Sequence, residues 1–270
     1  MRIYIPTRGR VKNQLTLENL PPELYVETTI VCPQSEVPFH KMNHPHVGEV
    51  LAQPDEIKFI ADKRKWIVDI CPEDKIVMLD DDLRFAVRRE DDPVLFRKAE
   101  PADVIQAFKE LEEILSEETP HAGFAVRGMG IGEGAQRGGW QTAKRSIYSL
   151  AYYLPIVRFW AEFGRIRIRE DIDITLQLLS MGFPNKINHS FVTDQKAFCP
   201  GGGDSPDERT VEISNNAARQ LQEFHPGYVT LSEKIFTNSP SRTEVICQWQ
   251  KCLRDGIAFR TEWLKSRESE

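Results

Sequence analysis

KIVMLDDDLRF, residues 75–85, is the stretch whose reading decides the fold. Ile76 to Leu79 form a short unbroken apolar run, the pattern of a strand covered on both faces. Asp80, Asp81 and Asp82 follow at once. Three like charges in a row repel, so solvent or a cation has to offset them. In open α/β sheets, ligands sit beyond the carboxyl ends of the strands, and these aspartates occupy such a place. Clustered carboxylate oxygens there suit a hard cation, Mn2+ or Mg2+, which keeps further positions for water and phosphate oxygens. The same residues also read as an acidic turn in water. A phosphatase that forms an aspartyl-phosphate would need a small hydroxyl residue two places after the second Asp, where Arg84 stands.

Strands and helices alternate on either side of this point. Ile3–Ile5 form a strand that runs into the loop PTRGR, and YVETTIVCP is a second strand stopped by Pro33. TLENLPPEL is a short helix broken at Pro21–Pro22. The chain around PFHKMNHPHVGEVLAQP is loop-like, with a short strand at Val47–Leu51. Ile57, Ile60, Ala61, Ile67 and Val68 have helical spacing. Val104, Phe108, Leu111 and Leu115 make one stripe of an amphipathic helix. AGFAVRG is a strand before a glycine-rich loop, Gly128–Gly139. YSLAYYLPIV reads as a strand pair, or a strand and turn. REDIDITLQLLSMG is a helix closed by Gly182, and NKINHSFVTD is a strand. Ser205, Pro206 and Glu208 make a capping box for a further helix, and TEVICQWQKCLRDGIAF reads as one or two more. The alternation predicts an α/β fold, a mainly parallel central sheet flanked by helices. Residues 1–200 would be the core and 201–270 a helical extension packed on it, a single domain overall.

The 270 residues carry 35 Lys and Arg against 41 Asp and Glu. That balance gives no general basic character, but the charge is segregated. No acid lies between Gly134 and Ala161, where Arg137, Lys144, Arg145 and Arg158 stand. The five cysteines are scattered and form no C-x-x-C pair, which reads as reduced thiols rather than a disulfide frame or zinc knuckle. The N-terminus has no signal peptide, and no apolar run reaches transmembrane length. A soluble, cytoplasmic protein with no membrane contact is expected.

The order of motifs resembles a GT-A type glycosyltransferase. IYIPTRGR opens as that family does, LDDDL supplies its D-x-D, and REDIDITLQLL its x-E-D at the start of a helix. The run from IYIPTRGR through LDDDLRF and REDIDITLQLL to GGG resembles in particular the TET-associated glycosyltransferases of bacteriophages, which are thought to glycosylate hydroxymethylated pyrimidines in phage DNA. The resemblance implies a nucleotide sugar, most naturally a UDP-hexose, at Pro6, Thr7, Arg8, Arg10, Arg64, Asp80 and Asp81. It implies Mn2+ or Mg2+ at Asp80 and Asp82, completed by His189 or, as second choice, His225. Asp171, beside Glu170, would be the general base of an inverting transfer.

Each of these residues has a plainer reading. Arg8, Arg10 and Arg64 would serve equally as solvated surface charges. Glu170 and Asp171 would favour a helix N-terminus by charge alone. His189, alternating with Ile187 and Phe191, would be an inward, satisfied polar residue. Gly201–Gly203 is a simple turn or a close backbone approach to phosphate. A DNA acceptor would need phosphate contacts and stacking partners. Arg137, Lys144 and Arg145 would supply the first, Trp140 and Tyr148 the second, unless the segment is only a mobile active-site loop. A saccharide, lipid or protein acceptor, or a non-catalytic nucleotide-sugar or DNA-binding module, are the competing functions.

Overall fold

A computed structural model of the chain describes residues 1–130, 138–195, 210–236 and 239–267. Arg137, Gly201–Gly203 and the expected capping box at Ser205–Glu208 lie outside the described residues. The first strands are β1 (Arg2–Pro6), β2 (Thr28–Pro33), β3 (Glu49–Gln53) and β4 (Lys75–Leu79). They pair in parallel in the order β3-β2-β1-β4. Further strands are β5 (Leu83–Arg88), β6 (Phe96–Lys98), β7 (His121–Val126), β8 (Trp140–Thr142), β9 (Ser149–Tyr153) and β10 (Asn185–Gln195). They continue the sheet as β4-β9-β7-β10-β5-β6, with β8 also on β10. β7 and β10 run parallel, while β9 is antiparallel to both of its neighbours.

The alternation of side chains along each strand explains the two layers of core. Ile3, Ile5, Val77 and Leu79 point to one face. There they meet Leu17 of α1 (Leu15–Asn19) and Val104, Phe108 and Leu111 of α4 (Pro101–Ile114). Tyr4, Ile76 and Met78 point to the other face. They meet Ile67 of α3 (Ile60–Ile70), Val157 of α5 (Leu154–Trp160) and Ile174 of α6 (Glu170–Ser180). A period of two in the strands and 3.6 in the helices is what lets one short sequence serve both layers.

Helix α6 is covered twice. Ile174 and Leu178 face the sheet, while Ile172, Leu176 and Leu179 face the C-terminal elements. Those elements are α7 (Val211–Phe224), an antiparallel hairpin of β11 (Val229–Phe236) and β12 (Ser239–Cys247), and α8 (Trp249–Arg267). The expected helical extension is therefore half hairpin. TEVIC, read as helix, alternates half-buried and exposed residues and pairs with β11. Helix α8 docks on α6 backbone to backbone. A Cβ added at Gly256 would lie 2.1 Å from the Leu179 carbonyl oxygen. Gly182 ends the turn after α6 at φ +80°, as its place in the sequence implied.

Two other expectations change. The loop around Pro38 contains α2 (Val37–Asn43), started by Pro38 in its first turn. After β9 the chain enters α5 rather than a second strand, because Pro155 at the helix start has no N–H for a sheet to use.

Candidate active site

β1 and β4 are adjacent and parallel, so their carboxyl ends emerge side by side. This places Thr7 against the aspartates. The three carboxylates do not converge. Asp80 turns to Arg64, whose terminal nitrogen lies 2.7 Å from Oδ1. Asp81 accepts from the Thr7 hydroxyl at 2.5 Å and sits 3.0 Å from Arg10. Asp82 is also 3.0 Å from Arg10, on its other oxygen from the one that accepts the Gln195 amide at 2.5 Å. The repulsion within LDDDL is thus offset by two guanidiniums and two further side-chain donors.

The turn's backbone is fixed as well. The Thr16 hydroxyl donates to the Asp80 carbonyl at 2.5 Å and accepts from the Leu83 amide at 2.8 Å. The Asp80 amide donates to the Tyr148 carbonyl just before β9. Gln14 donates to the Thr7 hydroxyl at 2.8 Å, leaving that hydroxyl's proton for Asp81. Burial pushes the Asp80 carboxyl up to about 7, with Asp82 and Asp81 adding to the rise and Arg64 opposing it. Burial likewise pushes Asp81 up to about 6 against the pull of Arg10 and Thr7.

Arg64 is buried, not a surface charge. Its second terminal nitrogen bonds Glu170, so one guanidinium joins the end of β4 to the start of α6. Asp171, also buried, accepts from Arg145 Nε at 2.8 Å. Arg64, Asp80, Arg145, Tyr148, Glu170 and Asp171 line one cleft of about 470 Å3, and Gln195, Arg169 and Ser214 complete its walls. The sequence reading missed Gln195 and Arg169. Gln195 belongs to no motif and Arg169 is only the variable x of x-E-D; the folded register alone brings Gln195 opposite Leu83 and so beside Asp82.

Other expected residues lie elsewhere. Pro6 ends β1, and Arg8 is half-buried in the loop beyond it. His189 is not brought to the aspartates. It lies six residues up β10 from Gln195, on the order of 15–20 Å along the strand. Its ring is buried without a hydrogen-bond partner, and burial, then Lys144 and Arg88, hold its pKa down to about 4. His225 is bonded to Asp173 on α6. Among the described residues, no group of three or more His, Cys, Asp or Glu side chains forms a metal-ligand set. Lys144 is exposed, whereas Trp140 packs in part against the core. No described helix is long and apolar enough to cross a membrane.

The fold recurs in solved glycosyltransferases. A mannosyltransferase from Pyrobaculum calidifontis, in complex with GDP-Man and Mn2+, superposes with a TM-score of 0.52 at 12% identity. The match covers 83% of this chain and 62% of that one, so this chain spans less than two thirds of the mannosyltransferase. Glucosyl-3-phosphoglycerate synthase from Mycobacterium tuberculosis, with Mn2+, UDP and phosphoglyceric acid, also gives 0.52, at 11% identity over 91% of this chain and 86% of its own. These likenesses are of fold, the GT-A arrangement. No curated protein matches the chain. The TET-associated glycosyltransferase family matches residues 1–203, which hold the aspartates, Arg64 and the Glu170–Asp171 pair. The chain belongs to the TET-associated glycosyltransferase family.

Proposed function

We propose that the chain transfers a hexose from a UDP-sugar to a hydroxymethylated pyrimidine in DNA, with Mn2+ or Mg2+ held by Asp80 and Asp82. The observation that carries this reading is the Asp80–Arg64–Glu170 bridge across a cleft that also holds Asp171. It joins the D-x-D pair to the acidic start of α6 at one opening.

The donor set suits a hard cation. Mg2+ is commonly held by one or two carboxylates, with phosphate oxygens and water in the remaining positions. Asp80 and Asp82 provide such a pair, and Asp81 and Glu170 beside them add negative charge that a cation would offset. When bound, the cation neutralises charge on the departing diphosphate. Thr7 and Gln14 hold Asp81 in place beside it. Arg10 and Arg64 are positioned to turn part of their charge to the nucleotide phosphates. Asp171 takes the proton of the acceptor hydroxyl, and Arg145 keeps its carboxylate aimed. The sugar carbon passes through an oxocarbenium-like transition state as the diphosphate leaves. Tyr148 offers a ring in the cleft wall for a base to stack on.

The test is incubation with UDP-hexoses and DNA containing hydroxymethylcytosine or hydroxymethyluracil, followed by nucleoside mass spectrometry. The expected result is a hexose added to the modified nucleoside, abolished by EDTA. Transfer undiminished in EDTA would overturn the metal role. Hexose found only on saccharide, lipid or protein acceptors would overturn the DNA acceptor.

A further inference from the structure

Arg169 stands immediately before the Glu170–Asp171 pair and adopts φ +68°, a left-handed conformation that costs a non-glycine residue free energy. It caps α6 in that strained state with no hydrogen bond from its own side chain to the helix. Its guanidinium is instead turned across to the C-terminal elements. One terminal nitrogen donates to Ser214 Oγ at 3.2 Å and to the Thr243 carbonyl at 3.1 Å. Its Nε is buried without a partner.

Arg145 reaches the same cleft from the other side of Asp171. Among the described residues its one hydrogen bond is from Nε to Asp171, and its two terminal nitrogens make none. The two guanidiniums are near enough that Arg145, after burial itself, is the next cause lowering the Arg169 pKa. Two mutually repelling arginines lining one cleft, each with donors left over beside the single Asp171 carboxylate, suit a further anion. The hydroxyl-bearing residues Thr210 and Ser214 line the same wall. Arg64 also lines the cleft, with its terminal nitrogens bonded to Asp80 and Glu170.

The geometry points to a phosphate subsite formed by Arg145 and Arg169, which holds the acceptor beside Asp171. In a DNA acceptor the bound group is the phosphodiester next to the modified nucleotide. This inference rests on the transfer reading above and adds to it Arg169 and its pairing with Arg145. Paired guanidiniums present several N–H donors to phosphate oxygens. A phosphate clamped there would place a hydroxymethyl group on the adjoining nucleotide near the Asp171 carboxylate. Arg169 would also couple acceptor binding to α7 and β12, which its side chain already holds.

The experiment compares wild type with Arg169→Asn and Arg145→Gln. Asn tolerates the left-handed backbone, and the second variant leaves that backbone untouched. Fluorescence anisotropy with a single-stranded oligonucleotide carrying one hydroxymethylcytosine reads the subsite, and titration with UDP and Mn2+ reads the donor side. Each variant should weaken oligonucleotide binding about tenfold and flatten its salt slope by about one, without a matching loss of UDP affinity. Oligonucleotide affinity unchanged in both variants would overturn the inference. So would a loss of UDP affinity in step with it, which would assign the arginines to the donor. Glycerol phosphate is the second probe. If it binds wild type but neither variant, and no oligonucleotide binds, the phosphate subsite stands and its source is a small phosphate ester. If wild type binds oligonucleotide but not UDP, the transfer reading fails while the variants still decide the subsite.

Discussion

His225 Nε2 lies 2.7 Å from Asp173 Oδ1, with both side chains buried between α6 and the C-terminal elements. Arg165 binds the same carboxylate. A histidine that completed a metal site would have to leave this pair. His225→Ala should therefore lower stability by about 1–3 kcal/mol, the cost of leaving a buried partner unsatisfied. It should leave Mn2+ affinity intact. Thermal melts with and without Mn2+ check both halves.

Asp82 gives the opposite pattern. Its carboxylate holds Arg10 and also Gln195, which lines the cleft. Asp82→Ala should abolish the rise in melting temperature on adding Mn2+ and lower metal-dependent turnover roughly a hundredfold or more. Asp82→Asn keeps the volume and should lose the metal response with less change in metal-free stability. A metal-induced shift equal to that of wild type in both variants would remove Asp82 from the site.

Arg64→Lys tests the bridge. A lysine keeps the charge but presents a single ammonium where the planar guanidinium reaches Asp80 and Glu170 at once. One carboxylate is left buried without its partner. Breaking a buried pair in this way costs about 3–5 kcal/mol, and Arg64→Lys should fall near the lower end. Denaturant unfolding gives that number, and the activity assay should show a loss beyond what reduced folding explains.

Asp171→Asn should separate chemistry from binding. The amide still accepts from Arg145 but takes no proton from the acceptor. The turnover rate should fall about 10²–10⁴-fold, with UDP binding close to wild type. A fall in UDP affinity of the same size would mean that Asp171 holds the donor.

His121 sets a pH dependence of stability apart from the cleft's opening. Its ring is fully buried, stacked on Tyr152 and bonded to the Ala151 carbonyl and the Thr175 hydroxyl. Burial lowers its pKa from 6.5 to about 4. The unfolded chain therefore binds a proton, below about pH 6.5, that the folded chain refuses. The contribution is complete above pH 6.5 and is lost as pH falls towards 4, on the order of 3 kcal/mol in all. His189 adds a dependence of the same sign. Unfolding free energies from pH 7.5 to 4.5 should fall less steeply in His121→Gln than in wild type, whatever the variant's absolute stability.

The core strands and helices were legible because their patterns are local. Ile76–Leu79 reads as a buried strand from four residues, and the stripe Val104, Phe108, Leu111 reads as a helix from two turns. All of these residues are buried where the pattern put them. The site was legible only in its charged motifs. Arg64 looks like a surface residue among Lys63, Lys65 and Asp62, and its burial follows from where α6 lies, a relationship across 106 residues. Gln195 reaches Asp82 through the pairing of β10 with β5, which no spacing within the sequence encodes. His189 failed as a ligand for the converse reason. Its place after the x-E-D helix was right, but the strand is long enough to carry its far end, not its middle, to the aspartates.

The glycine contact between α8 and α6 bears on where the catalytic unit can be cut. The family match stops at residue 203, yet Leu176 and Leu179 share one buried cluster with Leu221, Cys252 and Leu253. A fragment trimmed to the match would keep every charged motif while stripping one side of the helix that presents Asp171. Residues without a family signature are thus part of the frame of the active site. Gly256 has no room for a side chain, because an added Cβ would run into the Leu179 carbonyl of that helix.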